Sequence, residues 1–331
     1  QKKHAGGKRI ENALQTNGTP LDDAWCAFLK REDFLVGISI DGPEALHDAY
    51  RTDRKGAPTY RRVVRGIELC KKHGVAFNTL TVVNRRNVEE PLAVYRFLRE
   101  LGSRFIQFIP LVERAADDAS DAVGLDLAHP PEHGTGGAAG PPVTEWSVPP
   151  DKLGEFYCRI FDRWVSRDVG RVYVQLFDTA LAKWLGVPGG VCQFAEECGR
   201  AMALEHNGDV YACDHYVYPR YRLGNVGTDA LADIADGEAM RRFGEAKRTT
   251  LPRQCRECRW RFACNGDCPK HRFAVTRDGE PGLSYLCPAY KRFFRHAAPK
   301  LERMAELYRA QRSPAEVMGE SGGGRPKQKG K

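Results

Sequence analysis

Apolar and polar residues alternate with two different periods along the first third of the chain. Short apolar runs rich in Val, Ile and Phe predict four strands, at residues 10–15, 34–40, 75–83 and 104–109. Between them, a helical period predicts helices over 59–73 and 88–101, each followed by a glycine. Strands that alternate with helices of this length are typical of parallel βαβ units, so we expect an α/β fold.

The rest of the chain changes character. Residues 113–150 are rich in Ala, Asp, Gly and Pro, with the run Gly134-Thr135-Gly136-Gly137, and predict a loop or insertion rather than packed structure. An apolar face predicts a helix over residues 152–167, and a final helix is expected at 299–312. We expect residues 313–331 to be disordered.

Charge and hydropathy exclude several classes of protein. The 331 residues include 51 Lys or Arg and 43 Asp or Glu, a net charge of +8 that lies partly in the tail at 325–331. No recognition motif accompanies this charge, so we expect no nucleic-acid partner. No apolar run could span a bilayer and no secretory signal is visible, so we expect a cytoplasmic protein without a membrane partner. The first residue is Gln1, which indicates a processed chain or part of a longer reading frame.

Cysteine is the most informative residue type. Eleven cysteines are many for a chain without an export signal, and their odd number argues against a complete disulfide framework. Cys-x2-Cys places two thiolates within reach of one metal centre, and eight thiolates suit two four-thiolate sites. By spacing alone, zinc and iron–sulfur clusters remain equally open for these eight: Cys192, Cys198, Cys213, Cys255, Cys258, Cys264, Cys268 and Cys287.

The other three cysteines are Cys26, Cys70 and Cys158. Each lies in a helical pattern beside apolar neighbours. We expect them to be small buried core residues rather than ligands.

The cysteine spacing carries a resemblance to a known family. Cys198 and Cys213 are separated as Cys-x9-Gly-x4-Cys, with a hairpin turn signal at residues 206–209. Further on, Cys-x2-Cys-x5-Cys-x3-Cys begins at Cys255, and Cys287 follows. This pattern resembles the SPASM domain of radical S-adenosylmethionine (SAM) enzymes. The barrel and SPASM segments of the anaerobic sulfatase-maturating enzymes are similar to residues 15–19, 36–43, 107–109, 211–217 and 222–225.

This resemblance covers about residues 8–300 apart from the loop after Val112, and it implies a fold. The fold is a partial (β/α)6 radical SAM barrel, with its first strands missing, followed by a SPASM iron–sulfur domain. We expect five regions: barrel at 1–112, loop or insertion at 113–150, connecting helices and a strand at 151–191, SPASM domain with two auxiliary clusters at 192–298, and C-terminal helix with basic tail at 299–331.

The resemblance also implies ligands and cofactors. One 4Fe-4S cluster would be bound by Cys192, Cys198, Cys213 and Cys268, which we name the first set. The other would be bound by the second set, Cys255, Cys258, Cys264 and Cys287. The full-length enzyme would add SAM and a third 4Fe-4S cluster. Its Cys-x3-Cys-x2-Cys motif and the Gly-Gly-Glu-Pro segment are absent here, so we expect an N-terminally truncated, inactive fragment.

The family's activity is the oxidation of a Cys or Ser of a sulfatase to Cα-formylglycine. The resemblance makes Asp214 the expected proton acceptor, and Ser39, Arg51 and Val112 the expected SAM contacts. Expected partners are a sulfatase polypeptide and an electron donor such as flavodoxin or ferredoxin, with the chain itself a monomer.

Two alternatives stay open. The chain could modify a different peptide as another SPASM enzyme, or it could be a non-catalytic module that holds zinc or clusters. Residue types alone explain Asp214 as a turn residue beside a ligand, and Val112 as ordinary packing.

Overall fold

The structure is a computed structural model that describes residue 3 and residues 5–122, 124–133, 142–199 and 201–320. Its strands, in chain order, are β1 (Asn12–Thr16), β2 (Phe34–Ser39), β3 (Phe77–Val83), β4 (Phe105–Pro110), β5 (Tyr173–Val174), β6 (Ala203–Leu204), β7 (Asp209–Tyr211), β8 (Arg222–Asn225), β9 (Ala274–Val275) and β10 (Pro281–Leu283). Its helices are α1 (Asp23–Arg31), α2 (Glu44–His47), α3 (Tyr60–His73), α4 (Pro91–Glu100), α5 (Asp118–Asp121), α6 (Pro150–Arg167), α7 (Gln175–Trp184), α8 (Leu231–Asp236), α9 (Glu238–Thr249), α10 (Arg253–Arg256), α11 (Arg261–Cys264), α12 (Cys287–Arg309) and α13 (Val317–Glu320).

The chain divides into two compact units. The first unit takes the described residues of 1–111, 146–178 and 302–331. The second unit takes those of 112–145 and 179–301.

A parallel sheet organises the first unit. Its five strands run in the order β1-β2-β3-β4-β5, and every neighbouring pair is parallel. Strand β2 has a fully buried centre, as expected for a parallel strand covered on both faces. The predicted α/β class is confirmed, and so are the four strands predicted before residue 112; the fifth comes from the connecting segment.

Local signals explain where the helices begin and end. The Asp22 carboxylate accepts a hydrogen bond from the backbone N–H of Trp25 and caps α1. Helix α3 ends at Gly74, whose φ of 65° lies in the left-handed region that glycine adopts without strain. Pro91 opens α4, where a missing N–H costs no hydrogen bond.

Aromatic side chains on α6 fill the core of the first unit. Trp164 is 1% exposed, and its indole N–H donates to the Val172 carbonyl at 2.7 Å. Its ring lies 5.2 Å from that of Phe177. Val317, in α13, is 0% exposed and its helix packs on α6, so the predicted disorder is wrong for residues 313–320. The remainder of that prediction, 321–331, lies outside the described residues.

The second unit has short strands and more irregular backbone. Strands β6, β7 and β8 form an antiparallel sheet, and β9 pairs with β10. The predicted hairpin at 206–209 is confirmed, since Gly208 has a φ of 88° between β6 and β7. Helix α12 begins at Cys287 and runs through Pro299, so the predicted start at residue 299 is wrong. Buried Tyr290 and Phe293 explain why the helix extends upstream.

The segment 113–150 is largely irregular, as predicted, but its described part is packed. The Thr144 N–H donates to the Glu113 carbonyl at 2.9 Å, and the Ala128 N–H donates to the Arg114 carbonyl at 3.1 Å. The Glu113 carboxylate also pairs with Lys270 at 2.6 Å. These contacts anchor the described residues of 113–145 within the second unit, contrary to the expectation of an unpacked loop; the glycine run 134–137 lies outside the described residues.

No helix in the described part of the chain is both long enough and apolar enough to cross a membrane.

Substitution of Gly66 tests the close packing of α3. A Cβ at this position would lie 2.4 Å from the Gly18 carbonyl oxygen. We expect Gly66→Ala to lower the free energy of unfolding by about 1–3 kcal/mol, because backbone atoms must shift. Urea denaturation followed by circular dichroism measures this. The matched control is Gly319→Ala, where a Cβ meets nothing within 4 Å. An equal effect of both substitutions would contradict the packing argument.

Candidate functional site

The second set of cysteines surrounds one cavity. All four side chains line it, together with Trp260 and Phe294. Helix α10 carries Cys255, α11 ends at Cys264 and α12 begins at Cys287, so the ends of three helices converge here. The walls are otherwise mostly apolar, which suits a centre shielded from water.

The first set gathers around a different part of the second unit. Cys198 and Cys213 pack against a buried cluster that includes Tyr216 and Phe243. Burial raises the pKa of the Cys198 thiol, and Cys192 adds to the rise. Burial likewise raises the pKa of Cys268 to about 12, with a contribution from Cys198. Burial, and more weakly Cys268, raise the pKa of Cys213, so the four thiols share one electrostatic neighbourhood.

Zinc and a 4Fe-4S cluster place different demands on four thiolates. Among the described residues, no three His, Cys, Asp or Glu side chains lie close enough to share one metal ion. Zinc needs sulfur ligands at about 2.3 Å, so its four thiolates must converge tightly. A 4Fe-4S cluster takes one thiolate on each of its irons and accepts a wider ring.

Burial also keeps the free thiols protonated. It raises the pKa of Cys255 to about 11 and that of Cys264 still further. A thiol binds metal only after it loses its proton. The positive charge of a bound metal centre would offset this cost, since a coordinating thiol is deprotonated outright.

The remaining three cysteines are core residues, as predicted. Cys26 and Cys70 are 0% exposed and Cys158 is 7% exposed. Burial raises the pKa of Cys70 to about 12, which leaves its thiol unreactive at neutral pH.

Asp214 lies directly beyond the first-set residue Cys213. Strand β7 ends at Tyr211, and a short 3₁₀ turn over Asp214–Tyr216 follows Cys213. The Cys213 thiol donates a hydrogen bond to Asp214 Oδ1 at 3.2 Å. Asp214 is exposed, so its carboxylate is accessible.

Ser39 and Arg51 line a cleft in the first unit. Arg51 is clamped by Asp41, which accepts from Nε at 2.5 Å and from Nη2 at 3.1 Å. Asp41 Oδ1 also accepts from the Val82 N–H at 2.9 Å. The Nη1 atom of Arg51 has no partner among the described residues. The Nη1 edge of the guanidinium is therefore free to bind an anionic group.

A buried histidine supports the same cleft, and sequence reasoning missed it. The Asp41 N–H donates to His47 Nδ1 at 3.3 Å, while His47 Nε2 lies 3.0 Å from Thr59 Oγ1. The Thr59 hydroxyl donates to the Arg51 carbonyl at 2.7 Å. Both His47 contacts require the Nε2–H tautomer, and burial lowers its pKa, which favours the neutral ring. The sequence signal that could have revealed His47 is its position, six residues after Asp41 and four before Arg51.

Val112 belongs to the second unit by its contacts and is 3% exposed. Its role as a SAM contact stays a prediction.

Family models match both parts of the chain. The model described as the radical SAM superfamily matches residues 1–98. The SPASM model, described as an iron-sulfur cluster-binding domain, matches residues 192–259.

Two curated relatives decide the family. The chain is 47% identical over 318 residues to a serine-type anaerobic sulfatase-maturating enzyme of Bacteroides thetaiotaomicron, covering 96% of this chain and 75% of that enzyme. It is 30% identical over 299 residues to a cysteine-type anaerobic sulfatase-maturating enzyme of Clostridium perfringens, covering 90% and 74%. The chain belongs to the family of anaerobic sulfatase-maturating enzymes.

A solved structure agrees with this family assignment. Native anSMEcpe with bound AdoMet and Cp18Cys peptide is 31% identical, with a TM-score of 0.78 over 93% of this chain and 80% of that one. The predicted fold, a radical SAM domain followed by a SPASM domain, is confirmed. These two domains imply iron–sulfur clusters and SAM as cofactors of the family.

Asp178 is a further candidate that sequence reasoning missed. It lies in the first turn of α7, directly after β5, at the carboxyl end of the parallel sheet. Burial alone raises its pKa to about 7. Such a carboxyl group is half protonated near neutral pH and could donate or accept a proton. An Asp following a two-residue strand offers no distinctive sequence signal.

The raised pKa of Asp178 predicts how stability depends on pH. The folded state binds its proton more tightly than the unfolded state, whose pKa is near 3.8. This contribution to stability is therefore full below about pH 4 and is lost as pH rises towards 7. We expect Asp178→Asn to match the unsubstituted protein at pH 4 and to be more stable at pH 8, by on the order of 2 kcal/mol. Urea midpoints across this range measure it; a pH-independent difference would contradict the prediction.

Proposed function

We propose that this chain carries the sulfatase-modifying chemistry of an enzyme that oxidises a Cys or Ser side chain to formylglycine. The 47% identity to a serine-type maturating enzyme over 96% of the chain carries this proposal. The two cysteine sets, each in its own part of the second unit, support two auxiliary 4Fe-4S clusters there.

Ser39 and Arg51 are proposed SAM contacts in the first unit. The free Nη1 edge of Arg51 suits the carboxylate of SAM, and the Asp41 clamp holds the guanidinium in place. We include Val112 as a third, aliphatic contact. When bound, SAM would supply the radical that removes a hydrogen atom from the substrate Cβ.

Asp214 is the proposed acceptor of the substrate's thiol or hydroxyl proton. Its Oδ1 accepts a hydrogen bond from the Cys213 thiol. When Cys213 gives up its proton to bind metal, this donor is lost and Oδ1 becomes free to accept another. A base must lie within hydrogen-bond reach of the proton it removes, and an exposed carboxylate meets that condition.

The substrate must also lose an electron, and the thiol-rich second unit is suited to hold an acceptor. We further propose a sulfatase segment as substrate, flavodoxin or ferredoxin as electron donor, and a monomeric chain. Higher identity to a serine-type than to a cysteine-type relative favours a serine-containing peptide as the first substrate to assay.

Paired cysteine substitutions test the two ligand sets. Anaerobic reconstitution should give about eight irons per chain and broad brown absorbance. We expect Cys255→Ala/Cys258→Ala to retain about four irons, and Cys192→Ala/Cys198→Ala likewise, because each pair belongs to one set. Iron and sulfide analysis measures both. Cys158→Ala is the control and should retain all iron. A colourless protein that carries two zinc ions would contradict the cluster assignment and favour a non-catalytic zinc module.

Substitution of Asp214 tests the proposed base. In the longest in-frame product that contains this chain, we expect Asp214→Asn to lower formylglycine formation at least 10²-fold, because the amide cannot accept the proton. Cleavage of SAM and the iron content should be unchanged. Mass spectrometry of a sulfatase peptide measures the product.

Asp233→Asn is the matched control, since Asp233 is an exposed carboxylate in the same unit. Retained activity in Asp214→Asn would remove Asp214 from the mechanism. Modification of an unrelated peptide, without action on sulfatase peptides, would instead favour a SPASM enzyme with another substrate.

A further inference from the structure

Two cations are buried in the second unit beside the thiols. Lys247 is 0% exposed and Arg272 is 1% exposed. Lys247 Nζ donates to the carbonyls of Cys192, at 2.6 Å, and Gln193, at 2.8 Å. Burying a full charge is costly unless an opposite charge compensates it, so both positions require a nearby source of negative charge.

The hydrogen bonds that the Arg272 guanidinium donates all go to backbone carbonyls. Nε donates to Gly266 at 2.8 Å and Nη1 donates to Lys247 at 2.6 Å. Nη2 donates to Asn265 at 2.9 Å and to Asp267 at 3.1 Å. In the part of the chain that the structure describes, neither cation forms an ion pair with a carboxylate.

Asp267 compensates only part of this charge. Its carboxylate is 0% exposed and accepts hydrogen bonds from Gln193 and Ser284, each at 2.7 Å. It also lies 2.9 Å from His271 Nδ1. One carboxylate opposite two cations leaves net positive charge in the interior.

The thiols lie where further negative charge is needed. Lys247 Nζ binds the carbonyl of Cys192, and the Cys198 N–H donates to the carbonyl of Gly244, one turn earlier on the same helix, at 3.1 Å. Arg272 binds the carbonyls of Asn265 and Asp267, and these residues lie between the second-set Cys264 and the first-set Cys268. Lys247 therefore adjoins the first set, whereas Arg272 adjoins members of both sets.

We propose that Arg272 and Lys247 raise the reduction potentials of the clusters held by these thiols, an inference that rests on the proposed function. A four-thiolate cluster becomes one unit more negative on one-electron reduction, so a fixed cation beside it favours the reduced form. Lys247 acts on the first-set cluster. Arg272, which cannot lose its proton, acts on both.

Anaerobic spectroelectrochemical titration with dithionite tests this. Each cluster is measured alone, in the Cys255→Ala/Cys258→Ala or the Cys192→Ala/Cys198→Ala background. We expect Lys247→Gln to shift only the first-set midpoint to lower potential, and Arg272→Gln to shift both. At a fixed potential, we expect the reduced-to-oxidised ratio to change at least about tenfold. This corresponds to a shift of the midpoint potential of about 59 mV for a one-electron couple.

Charge-retaining variants separate charge from packing. Lys247→Arg and Arg272→Lys should keep midpoints near those of the unsubstituted protein, even where stability falls. Arg242→Gln is the matched surface control: Arg242 lies on α9 with Lys247, but its side chain is 69% exposed and paired with Glu238 at 3.1 Å. It should leave both midpoints unchanged because solvent screens its charge.

Several outcomes would overturn the inference. Unchanged midpoints in both neutral variants would do so, and so would equal shifts in the neutral and charge-retaining variants. If Lys247→Gln loses the first-set cluster, retention in Lys247→Arg supports the charge role and loss in both contradicts it. Failure of the unsubstituted protein to bind iron would contradict the proposed function instead, so the two failures are distinguishable.

Discussion

A single buried guanidinium joins helix α9 to the loop between Cys264 and Cys268. Arg272 binds four backbone carbonyls, one in α9 and three in the loop between Cys264 and Cys268. The strands of this unit are only two to four residues long, so ladder hydrogen bonds contribute little to its order. The thiol-bearing loop therefore depends on a side chain that carries a permanent charge into the interior.

That charge links architecture to chemistry. Burial disfavours thiolates and cations alike, yet the two stabilise each other when they are buried side by side. Lys247 binds the backbone carbonyl of Cys192 and Arg272 binds those of residues 265–267, so both cations contact segments that present the thiols. The same interaction that orders the loop thus supports the ionised ligands that an iron–sulfur cluster needs.

The first unit uses an arginine differently. Arg51 is held by the carboxylate of Asp41, which also accepts from the Val82 N–H, while the Asp41 N–H donates to the His47 ring. Its side chain remains a quarter exposed at a cleft. A guanidinium fixed along one edge and open along the other is prepared to bind a planar anion, because little conformational entropy remains to be lost.

The sequence alone determined the α/β class, the four strands before residue 112, the hairpin before Cys213 and the family. Periodicity and cysteine spacing are local properties, so they can be read without coordinates. The sequence also separated core cysteines from candidate ligands, because Cys26, Cys70 and Cys158 lie in apolar helical patterns.

Only the tertiary structure decided which charges are buried and what compensates them. Nothing local distinguishes Arg272 or Lys247 from the other 49 basic residues, and Asp178 follows a strand too short to be recognised. The extension of α12 upstream of Pro299 and the order of residues 313–320 also depend on packing partners distant in sequence. Burial is a property of the assembled core, which is why composition and spacing could not predict these features.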